Sequence, residues 1–531
     1  MRTLSFLGAG RYGSFWLRLT RPEWFAILVP LVIAGVLGVH RLAQPDALNG
    51  VLGYAGWGYD DGVHLGVSLR LTNGALPYRD YVFLHPPGLT VVFAPLAVLA
   101  RLTSGTDALA VGRVLIALIG LANVVLVGLL ARRRGPLAML LGGMALAVWP
   151  LAPDALRTLM VEPIVVLLVL TGAMLLFPDQ KSATPKQVFW AGALFGIALS
   201  LRLLAILPIL AALVVVIWLM RQSLKRFVVG LVTSLAITVL PFFLLAPSQF
   251  IQQVFVTQLS RPTSNAATTS AGSRIAMVLG ISTSPSSTQS TVAIVILLMF
   301  GLVVVGAFVV RRTSTGPLDW FALSGSVLTV LGVLRAPEAF WHYMYVSVAF
   351  LALLLALTAG LLVDVLPVHR SQGGISWRWV SGFVISAIVV LGGVGLLSHD
   401  FEIAESFPGD TDTPADWVRG LVPVGSCVAT DVSTVLVVSD RFLSSDRNCP
   451  DSVDRFGSWL AAGAPGPGSQ AIAPPDELVA EWMSEIEKID YVVMSADYSN
   501  FFPWTTETKA AFSENFRKVG SRGRLVIYER V

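Results

Sequence analysis

Long apolar runs, separated by short polar stretches, fill the first 398 residues of the chain. A run of about 20 apolar residues is long enough for a helix that crosses the hydrocarbon core of a bilayer. The pattern therefore predicts an α-helical polytopic membrane protein with about 11 transmembrane helices. They are expected near residues 24–39, 109–131, 136–152, 162–177, 188–201, 203–220, 227–246, 291–310, 318–334, 343–362 and 380–398. The apolar stretch 188–220 is too long for one span and is divided at Arg202, its only charge.

Basic residues between the runs indicate the orientation, since cytoplasmic loops are enriched in lysine and arginine. The first run follows several arginines and has no small-residue cleavage site, so it is expected to be an anchor with a cytoplasmic N-terminus. Later basic clusters fall on the same side: Arg132–Arg134, Lys181 with Lys186, Arg221 to Arg226, Arg311–Arg312, and Arg370 with Arg378. An odd number of spans places the rest of the chain outside, and the expected location is the plasma (inner) membrane.

The first external loop, residues 41–108, contains a further apolar stretch at residues 86–102. Counting this stretch as a span would move Arg132–Arg134 to the outside, against the positive-inside rule. It is therefore expected to be an amphipathic helix that lies on the outer surface of the bilayer.

Residues 399–531 have a different character and are predicted to be a small extracytoplasmic α/β domain that follows the transmembrane domain 1–398. They carry 21 acidic and 11 basic residues, whereas the first 398 residues carry 12 acidic and 26 basic ones. Short β-type runs occur at 426–430, 435–439, 490–495 and 524–528, and helical spacing occurs at 475–489 and 505–516. Both cysteines, Cys427 and Cys449, lie here. Outside the membrane they are expected to form a disulfide, whereas in the cytosol they would more often stay reduced.

The composition excludes an ordinary soluble enzyme. Hydrophobic residues make up 55% of the chain and charged residues 13%, against about 25% charged residues in soluble proteins. The mean hydropathy is +0.73. The net charge of +4 does not indicate a nucleic-acid partner, because the basic residues stand in short clusters between apolar runs, as loop anchors do.

Ionisable side chains collect at the predicted outer ends of the spans, and in membrane proteins such groups indicate a functional site. They are Asp60, Asp61, Asp80, His85, Asp154, Arg157, Glu162, Arg202, Arg261, Arg335, Glu338 and His342, with Tyr343 beside the last. The set suits transfer of a sugar from a lipid phosphate to a hydroxyl acceptor. One carboxylate would accept the hydroxyl proton, and cationic side chains would hold the phosphate and its growing charge. No nucleotide-binding loop is needed, because the donor is a lipid.

The first external loop resembles that of the GT-C glycosyltransferases. An Asp60-Asp61 pair precedes Tyr78-Arg79-Asp80 and His85-Pro86-Pro87, which is similar to the loop of protein O-mannosyltransferases and lipid A aminoarabinose transferases. The resemblance implies a GT-C fold, a polyprenyl-phosphate sugar donor and an inverting mechanism. The tail beyond the last span is similar to actinobacterial cell-envelope members that use decaprenyl-phosphate sugars.

The same resemblance implies roles for individual residues. Asp60 would be the base, Arg202 would contact the lipid phosphate, and His342-Tyr343 would match the family's late His-Tyr pair. Because Asp61 is shorter than the glutamate of the Asp-Glu version, either aspartate could be catalytic. The expected donor-phosphate residues are Arg202, Arg261, Arg335, His342 and Tyr343, and the expected acceptor or supporting residues are Asp80, His85, Asp154, Arg157, Glu162 and Glu338. The residues indicate no definite metal or cofactor, although Asp60, Asp61 and Glu162 could share a divalent cation such as Mg, Mn or Ca.

Each assignment has a structural alternative. The aspartate pair could cap a helix or form a turn, and Arg202 could extend to lipid headgroups. His342 could belong to an interfacial aromatic belt, and Glu162 could cap a helix. The competing function is a transporter or flippase of a lipid-linked saccharide, which would carry ionisable groups at mid-membrane. The sequence does not distinguish mannose from arabinofuranose, or a glycan from a lipoglycan or a protein hydroxyl as acceptor.

Overall fold

The protein is mainly helical in a computed structural model that describes residues 19–42, 59–150, 155–156, 158–179, 182–261, 270–282, 284–363, 414–466 and 473–531. The α-helices up to residue 363 are α1 (Arg21–Leu42), α2 (Tyr59–Thr72), α3 (Gly88–Val92), α4 (Ala94–Leu102), α5 (Gly105–Leu130), α6 (Pro136–Ala147), α7 (Glu162–Leu176), α8 (Pro185–Leu201), α9 (Ile206–Leu219), α10 (Leu224–Leu245), α11 (Pro247–Phe250), α12 (Thr257–Ser260), α13 (Ala271–Val278), α14 (Ser287–Val310), α15 (Pro317–Arg335) and α16 (Met344–Val363). A π-helical segment (Ile251–Val256) joins α11 to α12.

Six of the described helices are long and apolar enough to cross a membrane, judged by length and composition. These candidate spans are Arg21–Val39, Gly105–Arg134, Arg221–Leu245, Ser287–Val310, Pro317–Arg335 and Trp341–Leu362. Four more predicted spans coincide with the shorter helices α6 to α9, and the last, residues 380–398, lies outside the described residues. The architecture is that of a helical multi-pass membrane protein, and the count of eleven stays a prediction.

Small residues let two helices of the bundle touch along their backbones. A methyl group at Gly192 of α8 would lie 2.0 Å from the carbonyl oxygen of Phe227 in α10. A methyl group at Gly230 of α10 would lie equally close to the carbonyl oxygen of Phe189 in α8. Such close approach, which only glycine permits, is a common way to pack helices in membranes. It fixes the direction of α8, whose last residue directly precedes Arg202.

Residues 86–102 form two short helices rather than one continuous helix. With 5 residues in α3 and 9 in α4, neither reaches the length of about 20 residues that a span requires. Leu89 and Phe93 are buried in the bundle, whereas Val98 and Leu102 are exposed. The stretch therefore lies at the surface of the bundle with one apolar side outward, and its position relative to the bilayer stays a prediction.

The basic cluster Arg132–Arg134 follows α5 and ties several helix ends together. Arg132 pairs with Glu23 of α1 at 2.8 Å, and Arg134 pairs with Asp319 of α15 at 2.7 Å. Asp319 lies in the first turn of α15. This end of the bundle is the predicted cytoplasmic end, where the positive charges are partly neutralised by ion pairs within the protein.

The described residues from 414 onward contain helices and one mixed sheet. The elements are α17 (Pro414–Leu421), β1 (Val428–Thr430), α18 (Ser433–Val438), α19 (Arg455–Ala461), α20 (Asp476–Ile486), β2 (Tyr491–Met494), α21 (Thr506–Asn515), β3 (Phe516–Arg522) and β4 (Leu525–Arg530). The strand order is β1-β2-β4-β3, with β1 parallel to β2 and the other neighbours antiparallel. Cys427 and Cys449 form a disulfide.

One expectation for this region is wrong, and one strand has no counterpart in the predicted elements. The valine-rich run 435–439 was expected to be a strand because β-branched residues favour strands, but it lies largely in α18. All six residues of α18 are buried, so tertiary packing overrides the local preference. The strand β3 follows α21 directly and has mostly polar residues that are exposed or half-buried, which give no alternating apolar pattern in the sequence.

The tail, meaning the described residues from 414 to 531, packs directly against the first external loop. A methyl group at Gly62 of α2 would lie 2.1 Å from the backbone nitrogen of Thr434 in α18. Farther along α2, Arg70 pairs with Asp451 of the tail at 2.7 Å. The Asp440 carboxylate accepts a hydrogen bond from the backbone N–H of Gly105 at 2.7 Å. These contacts hold the tail against α2 and the start of α5, and the Gly62 contact lies beside the aspartate pair.

Candidate active site

A cavity of about 350 Å³ lies between the helix ends and the tail. Its walls consist of Tyr59, Asp60, Leu84, His85, Met160, Arg202, Gln258, Arg261, Phe340, Trp341, His342, Tyr343, Asp454, Phe456, Leu460 and Phe501. The lining joins residues that are distant in sequence, from the start of α2 to the tail. Six of the residues predicted from the sequence meet here, namely Asp60, His85, Arg202, Arg261, His342 and Tyr343.

The two aspartates at the start of α2 have different surroundings. Asp61 is fully buried, pairs with Arg113 of α5 at 2.5 Å and accepts a hydrogen bond from the backbone N–H of Leu159. Asp60 is half-buried and lines the cavity. Among the described residues, Asp60 has neither an ion pair nor a hydrogen bond to its carboxylate. Asp60 is therefore the member of the pair that is available to a bound molecule, and Asp61 fixes the helix.

Arg202 lies at the centre of a buried polar group. Its Nε lies 3.2 Å from Oε1 of Glu162, the first residue of α7, and its Nη1 donates to Nδ1 of His85 at 3.2 Å. The guanidinium also lies over the ring of Tyr343, 4.7 Å from its centroid. These contacts orient the guanidinium, which lines the cavity beside Asp60.

The protonation state of His85 follows from its neighbours. Burial, and then the charge of Arg202, hold the pKa of His85 well below its usual value. A neutral ring is also what the hydrogen bond requires, because a guanidinium only donates and Nδ1 must accept. His85 therefore supports Arg202 without adding a second positive charge.

His342 lies among aromatic rings at the start of the last described span. Its ring stacks on Phe340 with a centroid distance of 5.6 Å, and it meets the Tyr343 ring edge-on at 4.6 Å. Its Nε2 lies 4.0 Å from Oε1 of Glu162. His342 thus shares the Glu162 carboxylate with Arg202, and both line the cavity.

Arg261 lies between the helix bundle and the tail. Its guanidinium is 5.5 Å from the ring centroid of Phe340 and 5.1 Å from that of Phe456 in the tail. Its Nε and Nη2 are buried and have no hydrogen-bond partner among the described residues. Buried donors of a charged group are costly to leave unpaired, so this arrangement favours an anion that binds in the cavity.

The tail supplies cavity residues that the sequence did not identify, namely Asp454, Phe456, Leu460 and Phe501. The Tyr59 ring, next to Asp60, lies 5.7 Å from the ring of Phe501. Burial raises the pKa of the Asp454 carboxyl, and hydrogen bonds from Gly457 and Tyr59 oppose this shift. Aromatic residues of the tail were visible in the sequence, but no local signal separates those that face the cavity from those of the tail's core.

Several predicted residues do not line the cavity. Arg335 ends α15 and is exposed, and Asp80 is exposed and pairs with its neighbour Arg79 at 2.7 Å. Glu338 is buried and is not among the lining residues of the cavity. Asp154 and Arg157 lie outside the described residues.

The acidic residues do not form a metal site in the described part of the chain. No group of three or more His, Cys, Asp or Glu side chains there is arranged to hold an ion. Of the three candidates, Asp61 faces Arg113 and Glu162 faces Arg202, which leaves Asp60 alone. The arrangement of the described residues gives no support to a divalent cation shared by the three carboxylates, and its presence stays a prediction.

This chain is similar to one protein-family model and to several solved membrane-protein structures. The family model "Glycosyltransferase family 87" matches residues 83–337. No curated protein sequence matches the chain. The solved structures that are similar include ArnT from Cupriavidus metallidurans bound to undecaprenyl phosphate, with TM-score 0.57 and 17% identity over 96% of this chain and 99% of that one. The apo state of the same ArnT gives TM-score 0.59 and 15% identity over 95% and 98%.

An oligosaccharyltransferase from Archaeoglobus fulgidus in the apo form is also similar, with TM-score 0.55 and 13% identity over 96% of this chain and 75% of that one. At these sequence identities, the similarity to the solved structures shows the fold alone. Together with the family model they confirm the resemblance to the GT-C superfamily that the first external loop indicated, and they support a glycosyltransferase.

Proposed function

We propose that this GT-C-like membrane protein transfers a sugar from a polyprenyl-phosphate donor to a hydroxyl group on the outer face of the plasma membrane. The observation that carries the proposal is a single cavity whose lining holds two guanidinium groups, Arg202 and Arg261, and a carboxylate, Asp60, that has no partner among the described residues. A base and an anion site side by side are what this reaction requires. The family model and the GT-C fold support the same class of enzyme.

In the proposed reaction Asp60 accepts the proton of the acceptor hydroxyl as its oxygen attacks the anomeric carbon. The bond from that carbon to the phosphate oxygen breaks, and polyprenyl phosphate leaves with the bonding electrons. A single displacement of this kind inverts the anomeric centre. The leaving phosphate is a weak base and needs no proton, so stabilisation of its negative charge is the remaining requirement.

Arg202 and Arg261 are proposed to hold the phosphate from two sides. Arg202 is already oriented by Glu162, His85 and Tyr343, so little rearrangement would be needed on binding. Arg261 offers its Nε and Nη2, which have no hydrogen-bond partner in the described part of the chain. The proposed donor sugar is mannose or arabinofuranose, and the acceptor is a hydroxyl of a glycan, lipoglycan or protein.

Among the described spans, most charged residues lie at helix ends, as Glu162 at the start of α7 and Arg335 at the end of α15 illustrate. Arg113, the ninth residue of α5, lies farther inside and is paired with Asp61. A transporter would be expected to carry ionisable groups along a path at mid-membrane. This distribution favours transfer at the membrane surface over movement of the saccharide across the bilayer.

Replacing Arg261 with alanine tests the anion site. Hydrogen bonds to charged groups contribute about 1.5–3 kcal/mol, and 1.4 kcal/mol is a factor of ten in an equilibrium constant. We therefore expect KM for the polyprenyl-phosphate donor to rise by at least about tenfold. KM for the acceptor should change little. The measurement is steady-state transfer with a labelled donor at several concentrations of each substrate.

Arg335→Ala is the matched control, because it removes an arginine at a helix end outside the cavity. Its donor KM should stay near that of the wild type. A larger rise in donor KM for Arg335→Ala than for Arg261→Ala would contradict the proposed phosphate site.

A further inference from the structure

A contact between the tail and the first turn of α2 has no part in the reaction as described above. The Tyr59 hydroxyl donates a hydrogen bond to Oδ1 of Asp454 at 2.7 Å. The same hydroxyl accepts a hydrogen bond from the backbone N–H of Phe456 at 3.0 Å. Tyr59 directly precedes Asp60, and both lie in the first turn of α2. The tail thus holds Tyr59, the residue next to the proposed base, by two hydrogen bonds.

The tail side of this contact is itself rigid. Asp454 is 7% exposed, and its Oδ1 also accepts a hydrogen bond from the N–H of Gly457 at 2.7 Å, which caps the N-terminus of α19. The Tyr59 ring packs against Phe501. The Tyr59 side chain is therefore held by a donor, an acceptor and a ring, all of which belong to the tail.

We infer that Tyr59 and Asp454 are positioning residues that fix Asp60 in the cavity, so that the active site is complete only when the tail is docked. The inference rests on the proposed function, in which Asp60 is the base. Asp60 makes no hydrogen bond or ion pair of its own to the described residues, so its direction depends on the backbone of the first turn. The Tyr59–Asp454 hydrogen bond is a tail contact within that turn, and the packing of Thr434 on Gly62 is a second contact beside it.

Two other contacts of the tail, those of Asp451 and Asp440, lie farther from that turn. Arg70, which pairs with Asp451, is about three turns farther along α2. Gly105, which donates to Asp440, begins α5. These contacts dock the tail without touching the first turn of α2, and the Arg70–Asp451 pair therefore provides a control for docking alone.

The test uses the full-length protein in membranes, with kcat and donor KM measured for Tyr59→Phe, Asp454→Ala, Asp454→Asn and Asp451→Asn. Misplacement of a reacting group by about 1 Å can cost about a hundredfold in rate. We expect Tyr59→Phe and Asp454→Ala to lower kcat by about 10–100-fold, with donor KM within about twofold of the wild type. Asp454→Asn should restore most of the activity, because its amide oxygen still accepts both hydrogen bonds. The double variant Tyr59→Phe/Asp454→Ala should be no worse than either single one.

Asp451→Asn removes a carboxylate from the same tail segment and the same interface, and its kcat should equal that of the wild type. Unchanged kcat in Tyr59→Phe, or equal losses in Asp454→Asn and Asp454→Ala, would overturn the inference. An equal loss in Asp451→Asn would also overturn it, since general loosening of the tail would then explain the effect. If Asp60→Asn itself keeps full activity, the failure lies in the proposed function instead.

Discussion

Replacing Asp60 with asparagine is expected to lower kcat for sugar transfer by about 10²–10⁴-fold, the contribution that a positioned general base makes. The lining of the cavity contains two carboxylates, those of Asp60 and Asp454. Asp454 already accepts two hydrogen bonds at Oδ1, whereas Asp60 is unpaired among the described residues. Asparagine has nearly the same shape as aspartate but cannot take up the hydroxyl proton. The loss should therefore appear in kcat, while KM for the donor changes little.

The variant His342→Ala tests whether the histidine, and not Asp60, is the base. His342 also lines the cavity and lies 4.0 Å from Glu162, and an imidazole is the other common base of enzymes. Full kcat in Asp60→Asn combined with a loss of at least about 10²-fold in His342→Ala would move the base to the histidine. Expression and the melting temperature in detergent should be the same for Asp60→Asn and the wild type.

Replacing Asp61 with asparagine should mainly lower the stability of the fold, whereas Asp60→Asn should mainly lower kcat. Asp61 is fully buried, and its carboxylate faces Arg113, whose side chain is 6% exposed. Removing one partner of a buried ion pair costs about 3–5 kcal/mol, because the remaining charge loses the group that compensated its desolvation. We expect a clear fall in the melting temperature and in the amount of folded protein. The catalytic rate per folded molecule should fall much less than in Asp60→Asn.

Asp80→Asn is the control for this second result. Asp80 also pairs with an arginine in the first external loop, but the Arg79 side chain is 47% exposed. Exposed ion pairs contribute about 0–1 kcal/mol, so the melting temperature should change little. Equal melting temperatures for Asp61→Asn and Asp80→Asn would contradict the structural role of Asp61.

The helical architecture could be predicted because each helix that spans the membrane needs a long run of apolar residues, and such runs are visible in the sequence. The position of Arg202 at the end of α8 could be predicted for a related reason, since it is a single charged residue that separates two apolar runs. The different surroundings of Asp60 and Asp61 could not be predicted in this way. Consecutive residues of a helix point about 100° apart, and which of them faces the cavity depends on how α2 packs against α5 and the tail.

The contribution of the tail to the cavity could not be predicted from the sequence either. Tyr59 and Asp454 are separated by 395 positions, and nothing local to Asp454 distinguishes it from the other acidic residues of the tail. The helix α18 was expected to be a strand, so the close packing of Thr434 on Gly62 could not be foreseen. Long-range packing decides both features, and a single sequence does not encode it in a local pattern.

The most direct test of the account is sugar transfer by the purified full-length protein in liposomes, with labelled polyprenyl-phosphate mannose and polyprenyl-phosphate arabinose offered separately with an envelope acceptor. The account predicts that label from one donor becomes covalently attached to the acceptor, that polyprenyl phosphate is released, and that Asp60→Asn abolishes both. Movement of labelled donor across the bilayer without attachment to the acceptor, unchanged in Asp60→Asn, would contradict it and indicate a transporter.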